Sequence, residues 1–154
     1  MNVMAVKPEE SKLSTIDRYL TLEEQKINLD KDTLARPVDP KIHDTIAKNL
    51  PENLKKVAES NQFNTISIYT RNDGKIFEQT KPDPAELVKT YKAAIKLDRT
   101  DKEKSMLAYT LKRINFKMDL VYSQKETQPV VDKKEIKRML RDISNEINSK
   151  DIQR

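Results

Sequence analysis

The sequence predicts a mainly α protein, five to six helices in a bundle-like domain with one β-hairpin inserted at about residues 65–79. Three observations predict it. Helix-start signatures recur along the chain, each a capping side chain with a nearby proline or a carboxylate three residues on, followed by apolar residues three and four apart. The 154 residues contain one glycine, Gly74, and it lies in Asn72-Asp73-Gly74 between two segments of alternating apolar and polar side chains. Apolar and charged residues each make up 36% of the chain, a balance suited to helices with one buried stripe and a wide solvated face.

Residues 1–13 lack sustained periodicity and read as a mobile arm. Thr21 and Glu24 have capping-box spacing, and Leu13, Leu20, Ile27 and Leu34 recur every seven residues with Ile16 on the same side. They predict a helix over about 14–34, in one or two pieces, closed before Pro37 because the residue preceding a proline avoids helical geometry. Asp39-Pro40 opens a short helix with Ile42, Ile46 and Leu50, and Pro51 restarts the chain into another with Leu54 and Val57 inward. The period then changes to two in Thr65-Ile66-Ser67-Ile68-Tyr69-Thr70 and in part of Lys75-Ile76-Phe77-Glu78, with Gly74 supplying the positive φ of the turn.

Asp83-Pro84-Ala85-Glu86 opens a helix with Leu87, Val88, Tyr91, Ala94 and Ile95. Thr100 with Glu103 caps a long helix to about Gln124, whose seam of Leu107, Leu111, Ile114, Met118 and Val121 steps by three and four. Residues 125–131, with Pro129, read as a linker, and Asp132 with Glu135 caps a last helix over the 132–154 segment. The domain plan is thus an arm, a helical domain with hairpin over 14–124, a linker, and a C-terminal amphipathic basic helix. The expected core is Leu20, Ile27, Ile46, Leu54, Val57, Ile66, Ile68, Tyr91, Ile95, Leu107, Leu111, Ile114 and Met118. The heptad-like seam suggests burial by a second chain, hence a homo-oligomer.

Composition removes much catalytic vocabulary. A single glycine builds no Walker loop or other glycine-rich phosphate cradle, and the absence of cysteine removes thiolate chemistry and Cys-based metal sites. His43 is the one histidine, and it reads as a surface or boundary residue. Asp30, Asp32 and Asp39 lack the glycine of a calcium loop and read as helix-end and loop residues. No cofactor is expected. No apolar run is long enough for a membrane span, and the start lacks a signal-peptide core, so a cytoplasmic protein is expected.

Net charge is +5, and the excess lies in residues 81–154. On the last helix Ile136, Met139, Leu140, Ile143 and Ile147 share one face, Lys133, Lys134, Lys137, Arg138 and Arg141 a second, and Glu135, Asp142 and Glu146 a narrower third. Lys112, Arg113 and Lys117 flank Tyr109, Phe116 and Tyr122 on the long helix, basic residues among aromatics as on a single-strand stacking platform, although rings at this spacing commonly fill cores. These eight cations are the candidate binding residues. They point to a non-enzymatic interaction or adaptor protein whose basic C-terminal half binds an acidic protein surface. The alternative is a nucleic-acid-binding accessory protein using the same helix, or a winged-helix-like segment over 39–80. In that segment Asn53, Lys55, Lys56, Ser60 and Asn61 would face the groove and Arg71 and Lys75 the wing, though its acids balance its bases.

Overall fold

The computed structural model describes residues 1–28, 38–124 and 129–152. The side chain of Ile27, the expectations for Asp30, Asp32 and Leu34, and most of the 125–131 linker lie outside the described residues. The chain forms two compact units interleaved in sequence: Met1–Pro8 with Asp44–Asp98, and Glu9–His43 with Arg99–Arg154.

The first unit is built on a three-stranded mixed sheet in the order β1-β2-β3, with β1 at Asn2–Met4, β2 at Thr65–Thr70 and β3 at Gly74–Thr80. The hairpin of β2 and β3 lies where the sequence places it, and Gly74 has a φ of 66°. An L residue pays for that conformation through Cβ contacts, which glycine lacks. Ile68 pairs with Phe77 and Tyr69 with Lys75, so Ile76 is the extra residue of a β-bulge. β1 lies parallel to β2, with Val3 opposite Ile68. The terminal amine of Met1 donates to the Thr65 carbonyl at 2.6 Å, and Ala5 N–H donates to Tyr69 at 2.8 Å, extending the ladder at both ends.

Helices α2, Ile42–Glu59, and α3, Pro84–Ala94, complete this unit. Leu54, Ala58, Ile66, Ile68, Leu87, Tyr91 and Ala94 form its buried core, with Val3, Val57 and Phe77 packed against it. Asp83 caps α3 by accepting the Glu86 N–H at 3.1 Å. α2 runs unbroken through Pro51, where two helices are expected from sequence. Proline removes one backbone hydrogen bond there, and burial of Leu54 and Ala58 in the following turns holds the helix together. The two-helix order of a winged-helix segment is therefore absent. Ile46, expected in the core, is 60% exposed, and Val57 and Ile95 are only partly buried.

The second unit is helical, formed by α1 at Pro8–Asn28, α4 at Asp101–Ser123 and α5 at Lys133–Ile152. Its core joins Leu13, Ile16, Tyr19 and Leu20 to Leu107, Ile114, Met118 and Val121, and to Ile136, Met139, Leu140, Ile143 and Ile147. Thr100 and Glu103 close a reciprocal capping box on α4, at 2.7 and 3.2 Å. The α4 seam is buried within its own unit, so the periodicity gives no support to a second chain. α5 likewise docks its apolar face on its own unit.

Two expectations near the N-terminus are corrected. Residues 1–13, read as a mobile arm, hold β1 and the first turns of α1, and Leu13 is buried. Thr21 is no cap: it lies inside α1 and donates its hydroxyl to the Asp17 carbonyl at 2.9 Å. The fold class is corrected as well. A parallel strand makes the hairpin part of a mixed sheet in a separate unit, so the architecture is α/β, not a helical bundle with a hairpin inserted.

Candidate functional site

The eight cations expected to bind a partner separate into two groups. Arg113 and Lys117 project from α4 onto Asp17 of α1, with Arg113 Nη2 at 2.7 Å and Lys117 Nζ at 2.8 Å from its two oxygens. Lys117 also donates to Thr21 Oγ1 at 2.7 Å. One carboxylate thus ties down two of the cations. The Arg113 guanidinium also stands 5.8 Å from the centre of the Tyr109 ring. Lys112, Lys134, Lys137, Arg138 and Arg141 are exposed, Lys133 is half-buried, and none has a partner among the described residues. They follow the outer faces of helices whose inner faces supply the core. Tyr109 and Phe116 are each 66% exposed, while Tyr122 packs against the core of this unit.

A buried polar cluster of the second unit contains none of the residues expected from sequence to bind a partner. Glu9 is 2% exposed at the start of α1, and Arg99 is buried just ahead of α4. Arg99 Nη2 meets Glu9 Oε1 at 2.8 Å, Arg99 Nε meets Glu10 at 2.9 Å, and Lys150 Nζ on α5 meets Glu9 Oε1 at 2.8 Å. Burial alone would raise the Glu9 carboxyl, but the hydrogen bonds from Lys150 and Arg99 outweigh it and hold the group below its ordinary range. The same partners raise Arg99 and Lys150 against their own desolvation. Both cations meet Glu9 Oε1, Oε2 is buried without a hydrogen-bond partner among the described residues, and the cluster fastens three helix ends. Its signal was Lys7-Pro8-Glu9-Glu10, a proline at a helix start with acids in the first turn.

Tyr19, Glu23 and Tyr122 clamp the strand of backbone entering α5. Val131 N–H donates to Tyr19 Oη at 2.9 Å, Tyr122 Oη donates to the Val131 carbonyl at 2.7 Å, and Val130 N–H donates to Glu23 at 3.1 Å. Burial, then the neighbouring Tyr19 and Glu23, push the Tyr122 phenol far up, so it remains a donor. His43 Nε2 shares a 2.9 Å hydrogen bond with Ser11 Oγ, which makes it a helix-boundary contact.

The first unit carries a concavity of about 620 Å³ between α2 and α3. Lys55, Lys89, Lys92 and Lys96 stand around it over a floor that includes Ala85, Val88 and Ala93. Exposed Arg18 on α1 and Arg71 in the hairpin turn have no partner among the described residues.

The family profile of zeta toxin matches residues 1–81, just over half of the chain. The chain belongs to the zeta toxin family. Two curated zeta toxins are similar over longer stretches: one from Streptococcus agalactiae, 31% identical over 129 residues, and one from Streptococcus pyogenes, 32% identical over 120. These alignments cover 84% and 78% of this chain but only 42% and 39% of the respective toxins.

Membership corrects the functional expectation. Zeta toxins are a phosphotransferase-like family of P-loop α/β kinase fold, so the non-enzymatic adaptor and its nucleic-acid-binding alternative are both overturned. One missing motif does not mean a missing chemistry. Phosphoryl transfer also uses cations and positioning groups drawn from segments outside the glycine-rich loop. Arg18 and Arg71 both fall within the zeta toxin match, and sequence reasoning singled out Arg71 alone, for a different role. Among the described residues no helix is long and apolar enough to cross a membrane.

Proposed function

We infer that this chain is part of a kinase-like zeta toxin, in which it supplies the structure beside the phosphate-binding loop and a second segment supplies the loop. The family match over residues 1–81 carries this reading. The one glycine of the chain is committed to a hairpin turn, which leaves none for a phosphate cradle here. Arginine suits the transferring phosphoryl group, because its planar fork meets several oxygens at once and stays charged. Arg18 and Arg71, exposed and without a partner among the described residues, lie in different units, and each is a separate candidate for that role. The reaction in this reading transfers the γ-phosphoryl group of ATP to the nucleotide sugar UDP-N-acetylglucosamine. Its compartment is the cytoplasm, where both substrates occur.

A chimera tests this. The chain replaces its matching segment in the Streptococcus pyogenes toxin, folding is checked by circular dichroism, and phosphorylation of UDP-N-acetylglucosamine is followed with labelled ATP. A folded chimera should transfer phosphate, and Arg18→Ala or Arg71→Ala should lower the rate by about 100-fold or more. A folded chimera with no transfer overturns the reading.

A further inference from the structure

We propose that the concavity between α2 and α3 is a docking groove for an acidic amphipathic helix of a partner protein. It is independent of the phosphotransferase reading. Charge is the first ground. Lys55, Lys89, Lys92 and Lys96 surround the groove, Glu52 is the one acid lining it, and none of the four ammonium groups has an ion pair or hydrogen bond among the described residues. Four like charges gathered around one carboxylate leave a net positive groove, and a ligand carrying carboxylates relieves the remaining repulsion.

Shape is the second ground. Ala85, Val88, Lys89, Lys92 and Ala93 all lie on one face of α3, at helical spacings. The floor is apolar and mostly of small side chains, which lets a second helix approach closely. Lys89, Lys92 and Lys96 follow one another at steps of three and four, the spacing at which glutamates line one side of a helix. An acidic helix can therefore pair its carboxylates with this row while its apolar side covers the floor.

The chemistry disfavours a phosphate ligand. Arginine forks and aromatic rings, the usual means of holding phosphates and stacking bases, are missing from the lining.

The test is fluorescence anisotropy of the whole chain with a labelled peptide of about 16 residues, with glutamates at i, i+4 and i+7 beside leucines, a span of about 24 Å when helical. The peptide should bind, and Lys89→Glu with Lys92→Glu should weaken it about ten-fold or more. Lys92→Arg should retain binding, as should the reversal of Lys137 and Arg141 on α5. Circular dichroism confirms that each variant is folded. Three results overturn the proposal: absence of binding, equal binding of a scrambled peptide of the same composition, or equal loss from the α5 reversal. Displacement by tripolyphosphate or single-stranded DNA at lower concentration than unlabelled peptide also overturns it, and assigns the groove to phosphate ligands.

Discussion

Glu9 shows how a single carboxyl makes stability depend on pH. Its folded pKa lies below the ordinary glutamate value, so its contribution is complete above that value, about 4.3 in an unfolded chain, and is lost as pH falls through the lower folded pKa. Urea titrations should show stability declining in this acid range, and Glu9→Gln should flatten the decline. Arg99→Ala removes the partner of a buried charge and should cost about 3–5 kcal/mol at neutral pH. Gly74 is a simpler case. A Cβ placed there meets nothing within 4 Å, so Gly74→Ala is strained by its backbone alone. The expected cost is about 1 kcal/mol, read as a lower urea midpoint at unchanged slope.

At the scale of elements, legibility followed locality. The β2–β3 turn, the Asp83 cap and the Thr100–Glu103 box were readable because neighbouring residues satisfy each need. β1 was not: three residues are too few to display alternation, and its partner in the ladder is distant in sequence. The start of α1 was obscured because Glu9, a charged residue, is among its most buried side chains, against the usual pattern. α5 was seen as an amphipathic helix, but sequence does not say which surface receives an apolar face. Since Ile136, Met139, Leu140, Ile143 and Ile147 all enter the core, deleting residues 132–154 should unfold the second unit, with dye binding to exposed apolar surface as the readout. A truncated protein that keeps the helical signal of α1 and α4 would contradict that packing. The groove lysines were visible as residues, but their convergence depends on two helices meeting.

At the scale of the molecule, each unit has its own apolar core, and among the described residues none belongs to both. Ile68→Ala should cost about 2–5 kcal/mol and accelerate amide exchange mainly in β2, β3 and α3. Ile143→Ala should act mainly on α1, α4 and α5. Exchange followed by mass spectrometry distinguishes this from a uniform change, which would mark one cooperative structure. Function was the least legible property at this scale, because the chain covers less than half of each toxin it resembles and the most recognisable phosphate motif is not in it.

The interleaving of the units sets a timetable for synthesis. β1 is made well before its partner, since its ladder begins with Met1 and Thr65, 64 positions apart, so it stays unpaired while all of α1 and α2 are made. The apolar stripe of α1, with Leu13, Ile16, Tyr19 and Leu20, waits longer still for α4 and α5. Until α4 and α5 have been made, translation therefore presents α1 to the crowded cell as a bare apolar helix, a natural client for chaperones that hold nascent chains.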